Sequence, residues 1–317
     1  MTQRTASPPV TTPAQPTVVV MMSSYNSRAY IQAQIDSILA QRDVEVRLWI
    51  RDDGSRDDTA AIIRQHCGAD PRVALTTGLN LGACQSFLET LRTCPFEGDY
   101  YGFSDADDVW LPDKLAHSVQ CLQAQASGDP TRPQAVATRL DVVDQALQHM
   151  TYSRPPRHGL QFANALIETV ATGMATVMNR PAYALLRHSR PQHAVMHDAW
   201  VYLMITAFGE FHYSPYPSVL YRQHSHNVFG TAHSLRRRLS LRWQRLSRVS
   251  PFRRQAQEFL ELHGPQLDPA KRRLLQRYCA YPSTPLSRLR FMCRPGVVKQ
   301  LPLSNAYMRL LILFGRE

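Results

Sequence analysis

Three aspartates lie within four positions about one third of the way along the chain, at Asp105, Asp107 and Asp108. They follow an aromatic-rich run ending at Phe103, which is typical of a buried strand. In an extended backbone, residues two apart point the same way, so we predict that Asp105 and Asp107 project together while Asp108 points elsewhere. Converging carboxylates repel each other unless a cation lies between them, and their oxygens favour Mg²⁺ or Mn²⁺. The alternative is an acidic loop that caps a helix beginning at Pro112.

The elements that would hold these carboxylates alternate between strands and helices. Apolar, β-branched runs predict strands over residues 17–22, 46–50, 73–75 and 135–140, with helices between them, the first over residues 27–40. Such alternation with short loops predicts an α/β fold, a mostly parallel sheet flanked by helices. In such sheets ligands collect at the carboxyl ends of the strands. The polar loops fall there, at residues 23–27, 52–55, 80–82 and 105–108.

Asp52 and Asp53 follow the second predicted strand and precede Gly54. Asp-Gly is turn chemistry, so a simple turn is one interpretation. The other is an acid that accepts hydrogen bonds from a nucleotide base or ribose. The chain has no G-x-G-x-x-G after its first strand and no G-x-x-x-x-G-K-S/T motif. A diphosphate would therefore need another counter-charge, which a metal at Asp105 and Asp107 would supply.

The composition indicates an anionic partner and a reducing compartment. The 317 residues include 36 Lys and Arg against 25 Asp and Glu, a net charge of +11 that suits a nucleotide, a nucleic acid or a membrane surface. The six cysteines show no C-x-x-C spacing, which disfavours a disulfide scaffold. No apolar run approaches the roughly 20 residues of a spanning helix, and the N-terminus lacks a signal-peptide pattern. We therefore predict a cytosolic protein.

The motifs, taken in order, resemble those of family 2 glycosyltransferases. They are Ser24-Tyr25-Asn26, Arg51-Asp52-Asp53-Gly54-Ser55, Asn80-Leu81-Gly82 and the segment from Ser104 to Lys114. The chain is most similar to the bacterial branch that includes rhamnosyltransferases of surface-polysaccharide assembly. This resemblance implies a GT-A fold with a Rossmann-like sheet, a nucleotide-diphosphate sugar donor, Mn²⁺ or Mg²⁺, and inversion at the anomeric carbon.

The same resemblance implies roles for individual residues at the donor site. The donor-binding residues would be Ser24, Tyr25, Asn26, Asp52, Asp53, Asn80, Gly82, Asp105, Arg222 and His224. Within this set the residues 24–26 would line the nucleotide pocket, and Asp53, alone or with Asp52, would hold the base or ribose. Asp105 would lie near the ribose and donor sugar and also ligate the metal, for which Asp107 would be the main ligand.

Asp198 begins an apolar helix in the second half of the chain. A carboxylate there is favoured by capping and by the helix dipole, which is the simpler interpretation. The functional interpretation is a general base, because an inverting transfer needs one carboxylate to take the proton of the acceptor hydroxyl. The sequence around His197 and Trp200 resembles the family's catalytic segment. We therefore favour a base, which does not exclude capping.

Arg222 and His224 belong to a basic stretch that follows a predicted strand at residues 218–220. Such clusters are usually solvated loops. The resemblance implies a second interpretation, in which this stretch lies close to the donor diphosphate. A cation there would stabilise the leaving group as cationic clamps do elsewhere in phosphate chemistry. His226 is given no role.

Residues 211–257 contain no Asp or Glu. The later part is crowded with arginines, at positions 236, 237, 238, 242, 245, 248, 253 and 254. Apolar residues at 235, 239, 243 and 246 share one helical face, the pattern of a helix lying in an anionic membrane surface. A solvated face and a helix tracking nucleic-acid phosphates are the alternatives, but no nucleic-acid module is recognisable.

Together these features predict a disordered lead-in over residues 1–16, a GT-A domain over 17–230 and a helical basic region over 231–317. The predicted function is metal-dependent inverting transfer of rhamnose or another hexose from a dTDP- or UDP-sugar. The predicted acceptor is a glycan or a polyprenyl-linked molecule, at the inner face of the cell membrane and without nucleic acid. The alternative is a non-catalytic basic protein that binds nucleic acid or anionic membrane and whose carboxylate loops are structural.

Overall fold

The computed structural model describes residues 14–125, 129–224, 250–280, 284–293 and 296–313. Its strands are β1 (Thr17–Ser24), β2 (Glu45–Asp52), β3 (Val73–Thr77), β4 (Tyr100–Ser104), β5 (Val109–Trp110), β6 (Gln134–Val143), β7 (His149–Tyr152), β8 (Thr176–Asn179) and β9 (Glu210–Arg222). Its α-helices are α1 (Ile31–Leu39), α2 (Thr59–Ala69), α3 (Ala83–Thr93), α4 (Lys114–Gln125), α5 (Phe162–Ala165), α6 (Arg180–Arg187), α7 (His197–Phe208), α8 (Pro251–His263), α9 (Pro269–Cys279), α10 (Pro285–Cys293) and α11 (Pro302–Leu313).

The described strands form one sheet in the order β3-β2-β1-β4-β8-β6-β9-β5, with β7 paired to β6. Strands β3, β2, β1 and β4 are parallel neighbours, and β6 is parallel to β9. Because β8 is antiparallel to both β4 and β6, β4 and β6 run in the same direction. Six strands are therefore co-directional: β1, β2, β3, β4, β6 and β9. The predicted α/β class and mostly parallel sheet are confirmed. Three oppositely directed strands, β5, β7 and β8, complete the second half.

Strand β1 lies inside the sheet, between β2 and β4, and has a hydrophobic core on each face. Val18, Val20 and Met22 pack into one core, while Val19 and Met21 pack into the other. All five are fully buried, as predicted for an apolar run covered on both faces. This arrangement brings the carboxyl ends of the parallel strands to one edge, where their polar loops can meet.

Two helices begin later than the sequence predicts. Helix α4 starts at Lys114 and not at Pro112, because two residues that follow α1 donate hydrogen bonds to the carbonyl groups just before Lys114. Gln41 Nε2 donates to the carbonyl of Leu111 over 2.7 Å, and the N–H of Arg42 donates to that of Pro112 over 2.9 Å. Helix α1 starts at residue 31 and not at 27, following a turn at residues 28–30.

The C-terminal region contains four described helices, α8 to α11. Phe259 of α8 is fully buried against Trp200 of α7, with their ring centroids 5.5 Å apart, so these helices share the core of the sheet. Most of the arginine-rich segment predicted to lie on a membrane, residues 225–249, falls outside the described residues. Among the helices that the structure describes, none has the length and hydrophobicity to span a bilayer.

Candidate functional site

The three aspartates converge after the end of β4. One carboxylate oxygen from each of Asp105, Asp107 and Asp108 lies within 4.8 Å of the others. This convergence is compatible with the prediction that Asp105 and Asp107 point the same way. The prediction that Asp108 points elsewhere is wrong. The backbone bends at Ala106 and Asp107, which breaks the two-residue alternation of an extended strand, and the side chain of Ala106 packs in the core.

Burial and mutual repulsion disfavour the ionised forms of Asp105 and Asp108 in this cluster. Burial, and then the charges of Asp107 and Asp198, raise the pKa of Asp105 to about 8. Burial, and then Asp107 and Asp105, raise the pKa of Asp108 well above its usual range. Asp108 Oδ1 accepts the backbone N–H of Arg222 over 3.0 Å, but Oδ2 has no partner among the described residues. Three hard oxygens with an unsatisfied buried atom fit a divalent cation.

The end of β9 brings Arg222 and His224 to the same cluster. Arg222 Nε donates to the carbonyl of Asp107 over 2.9 Å, and its Nη1 donates to that of Gln145 over 2.7 Å. His224 Nε2 lies 2.8 Å from Asp107 Oδ2. Tyr30 stacks on the His224 ring at 4.9 Å and lies 5.0 Å from the guanidinium carbon of Arg222. Two residues far apart in sequence from Asp107 therefore meet it.

Asp52 holds the loop after β1 to the loop after β2. Its Oδ1 accepts hydrogen bonds from Ser55 Oγ over 2.5 Å and from Ser24 Oγ over 3.4 Å. Asn26 has a left-handed backbone (φ 49°), and its Oδ1 accepts the N–H of Arg56 over 2.8 Å. The side chain of Tyr25, which lies between Ser24 and Asn26 in the sequence, is exposed. The two predicted nucleotide loops thus form one connected wall.

Asp53 is buried and organises the loop that contains Asn80 and Gly82. It pairs with the guanidinium of Arg51 and accepts the N–H groups of Leu81 and Gly82 over 2.9 and 3.0 Å. Gly82 has φ 76°, a conformation that disfavours any side chain, and its N–H also lies 3.2 Å from Asn80 Oδ1. The carboxylate oxygens of Asp53 are thus engaged inside the protein, and Asp52, the last residue of β2, is equally buried.

Asp198 lies in the first turn of α7, whose N-cap residue is Met196. Asp198 Oδ1 accepts the N–H of Ala199 over 2.7 Å, so the carboxylate does bond to the helix N-terminus. Burial nevertheless raises its pKa to about 6, against hydrogen bonds that lower it, including one from the N–H of Gly173. Its charge also raises the pKa of Asp105, and the ring of the neighbouring His197 lies 5.2 Å from that of Phe103, two residues before Asp105. A carboxylate with this pKa can take a proton near neutral pH.

Sequence reasoning missed the packing that fixes Asp198. The neighbouring His197 stacks on Phe87 at 3.9 Å and meets Phe103 edge-on at 5.2 Å. Both ring nitrogens of His197 lack partners among the described residues, and burial lowers its pKa to about 3. A Cβ on Gly173 would clash with His197 Nε2, so a larger residue there would displace the His197 ring. The only sign of this packing in the sequence was that His197 directly precedes Asp198.

A second buried cation lies behind the carboxylate loop. Lys114 is fully buried, with Nζ 3.8 Å from the centroid of the Trp110 ring and no hydrogen-bond partner among the described residues. Burial lowers the pKa of Lys114 to about 7. The cation–π contact ties the start of α4 to β5, and thus to the bend that gathers the aspartates.

Comparison with known proteins assigns the chain to a family. The family model described as "Glycosyl transferase family 2" matches residues 19–186, more than half of the chain. Among the relatives is the dTDP-rhamnosyl transferase RfbG of Shigella flexneri, 25% identical over 66% of this chain and 73% of its own. The putative teichuronic acid biosynthesis glycosyltransferase TuaG of Bacillus subtilis is 32% identical over 35% of this chain and 44% of its own.

Solved structures share the fold at low sequence identity. TarS of S. aureus in complex with UDP-GlcNAc superposes with a TM-score of 0.57 at 14% identity, covering 88% of this chain and 76% of the other. The mannosyltransferase PcManGT of Pyrobaculum calidifontis, in complex with GDP-Man and Mn²⁺, gives a TM-score of 0.51 at 19% identity, covering 95% and 86%. These likenesses establish a GT-A architecture that includes the C-terminal helices.

Proposed function

Because the chain belongs to glycosyl transferase family 2, and is therefore a glycosyltransferase, we propose that it transfers a sugar from a nucleoside-diphosphate donor with inversion, using a divalent metal and Asp198 as base. The observation that carries this proposal is the convergence of Asp105, Asp107 and Asp108 after the end of β4. Family membership rules out the alternative of a non-catalytic basic protein.

Asp105 and Asp107 would hold Mn²⁺ or Mg²⁺, and the buried free oxygen of Asp108 supports a third position in the same centre. When bound, the cation would neutralise the charge that develops on the leaving diphosphate. Burial and the charges of Asp107 and Asp198 raise the pKa of Asp105, so a cation beside it would favour its ionised form.

Arg222 and His224 would bind the diphosphate from the β9 side. Both already contact Asp107, so a phosphate oxygen that approaches the metal ligands would also reach a guanidinium and an imidazole. The opposite wall, formed by Ser24, Tyr25 and Asn26 with Asp52, would hold the nucleoside. Asp53, with Asn80 and Gly82, would act mainly by shaping that wall, because its oxygens are already engaged.

Asp198 would take the proton from the acceptor hydroxyl. The acceptor oxygen forms its bond to the anomeric carbon while the bond from that carbon to the diphosphate breaks, and the electron pair leaves with the nucleotide. The proton passes to the Asp198 carboxylate. A pKa of about 6 suits this role, because the group is mostly ionised at neutral pH and still basic enough to accept a proton.

The donor and acceptor follow from chemistry and similarity together. The relatives named for dTDP-rhamnosyl transfer and teichuronic acid biosynthesis support a deoxyhexose or hexose donor and a surface-polysaccharide product. Thymine and uracil present the same hydrogen-bonding edge, so a dTDP- or a UDP-sugar fits equally. A glycan or polyprenyl-linked acceptor at the cytoplasmic face of the membrane would suit the net charge of +11.

A donor panel tests the proposal. Thermal stability and donor hydrolysis are measured with dTDP-rhamnose, UDP-hexoses and GDP-hexoses, each with Mn²⁺, with Mg²⁺ and with EDTA. We expect one nucleotide class to raise the melting temperature and to be hydrolysed only when metal is present. Equal shifts in EDTA would refute metal dependence, and no shift with any nucleotide would refute the donor assignment.

A further inference from the structure

The last two described helices expose an unusual share of the apolar surface. Twelve large apolar side chains are exposed in the described residues, and half of them lie between positions 286 and 310. They are Leu286, Leu289, Leu301, Leu303, Tyr307 and Leu310, which we call the C-terminal leucine face. Leu303 is the most exposed, at 86%. Such a concentration indicates an interaction surface, because isolated exposed leucines are normal but clusters of them are not.

The spacing of these residues places several on one side of each helix. Leu303, Tyr307 and Leu310 recur at intervals of four and three along α11, and Leu286 and Leu289 are three apart on α10. Met308, between them on α11, is instead buried in the core. Helix α11 is therefore apolar on two sides: within the part of the chain that the structure describes, the side with Met308 packs into the core and the side with Leu303, Tyr307 and Leu310 is exposed.

The charged residues in this part of the sequence are almost all positive. Residues 281–317 contain six Lys and Arg but only one acidic residue, Glu317. Hydrophobic side chains on a helix flanked by basic ones are the pattern of a helix that lies in the interface of an anionic bilayer. A second copy of the chain would bring the same positive charges together, which disfavours self-association.

The anchoring of α11 gives this surface a fixed relation to the rest of the fold. The N–H of Gln300 donates to Glu168 Oε1 over 2.5 Å, and Asn164 Nδ2 donates to the carbonyl of Val298 over 2.8 Å. Asn164 also accepts the hydroxyl of Tyr202, in the helix that begins beside the candidate base. A bilayer that holds α11 would therefore set the orientation of α7 relative to the membrane.

We propose that the C-terminal leucine face inserts into an anionic phospholipid surface and docks the enzyme there. Only the role of this membrane contact, which is to bring Asp198 to a lipid-linked acceptor, rests on the proposed function. The proposal places the membrane contact in α10 and α11 as well as, or instead of, the arginine-rich segment before them.

Co-sedimentation with vesicles tests the surface directly. The full chain is mixed with vesicles of phosphatidylcholine alone or with added phosphatidylglycerol, at low and high salt. We expect binding to the anionic vesicles that salt weakens. The double variant Leu303→Ser with Leu310→Ser should bind them about 100-fold more weakly, from the loss of two buried leucines. A matched double variant outside the face, Leu262→Ser with Met150→Ser, should bind like the wild type.

Equal vesicle binding by the two double variants would overturn the proposal. So would a wild type that ignores vesicles, whether it stays monomeric in light scattering or forms a dimer that Leu303→Ser with Leu310→Ser disrupts. Metal-dependent thermal stabilisation by the nucleotide is measured on the same samples to keep the two ideas apart. Vesicle binding without any nucleotide effect would leave the membrane surface standing and remove the donor assignment.

Discussion

At the scale of single residues, the candidate base is distinguished by its surroundings rather than by its type. Asp198 bonds to the helix N-terminus through Ala199 and to Gly173, as a capping aspartate would. Yet its pKa is raised to about 6, because burial outweighs those hydrogen bonds. The same side chain therefore caps α7 and remains able to accept a proton.

The pH dependence of transfer should report Asp198. Its ionised form is the base, so we expect kcat to be constant above about pH 7 and to fall roughly tenfold per pH unit below about pH 6, where the carboxylate takes a proton. The variant Asp198→Asn should lose at least about 100-fold in kcat and retain donor affinity. An Asp198→Asn variant with the wild-type rate and the same acidic limb would contradict the assignment.

Gly173 should tolerate no side chain. A methyl group there would meet the His197 ring, which is wedged between Phe87 and Phe103, and would displace the start of α7. We expect Gly173→Ala to cost about 1–3 kcal/mol in the free energy of unfolding and to slow transfer about 10–100-fold.

The matched control is Gly68→Ala in α2, where a Cβ meets nothing within 4 Å. Alanine should stabilise that helix slightly and leave transfer unchanged. Thermal unfolding and steady-state kinetics on both variants separate the two cases. Wild-type stability and rate in Gly173→Ala would show that the ring of His197 moves aside freely.

At the scale of elements, the loop between β4 and β5 holds its aspartates at a cost in stability. The raised pKa of Asp105 means that the unfolded chain releases this proton first as pH rises from about 4 to about 8. The free energy of unfolding of the metal-free protein therefore declines across that range. Metal binding reverses the effect, because a cation favours the ionised carboxylate.

Replacing Asp105 by asparagine should remove this cost. We expect Asp105→Asn to raise the free energy of unfolding of the metal-free protein by about 1–2 kcal/mol at pH 8, with a smaller gain at pH 5. The variant should gain no further stability from Mn²⁺, unlike the wild type. Thermal melts at both pH values, with EDTA and with Mn²⁺, provide the measurement. A less stable metal-free variant at pH 8 would contradict a stability cost from the burial of Asp105 and its repulsion by Asp107.

The elements also explain what the sequence could predict. Strand β1 was predictable because burial on both faces leaves a continuous apolar run, and parallel topology then places the polar loops together. The position of Asp108 was not, because a bend between strands follows no periodicity. The start of α4 was also missed, since contacts from Gln41 and Arg42, some 70 residues away, decide it.

The approach of distant residues escaped the sequence for a related reason. His224 lies 117 positions from Asp107, and Gly173 lies 24 positions from His197, so only the folded chain shows these contacts. The resemblance to family 2 glycosyltransferases named His224 and Asp198 as site residues. It did not show the aromatic packing around His197, which carries no motif of its own.

At the scale of the whole molecule, acidic and basic surfaces have separate places. Three acidic side chains converge where the donor would bind, whereas residues 281–317 contain six Lys and Arg against one acidic residue in the sequence. The same fold would thus present a metal centre to the nucleotide and a positive, leucine-bearing surface to lipid. The assignment of a metal centre underlies the assignments of the donor and the base, whereas the membrane surface is independent of it.

Mn²⁺ binding in the presence and absence of nucleoside diphosphate tests the metal centre most directly. Titration calorimetry should show one Mn²⁺ per chain, bound at least about tenfold more tightly with dTDP or UDP present, since metal and diphosphate share a site. Asp107→Ala should abolish this binding, whereas Asp129→Ala, at an exposed loop aspartate, should not change it. Nucleotide-dependent Mn²⁺ binding that persists in Asp107→Ala would contradict the account.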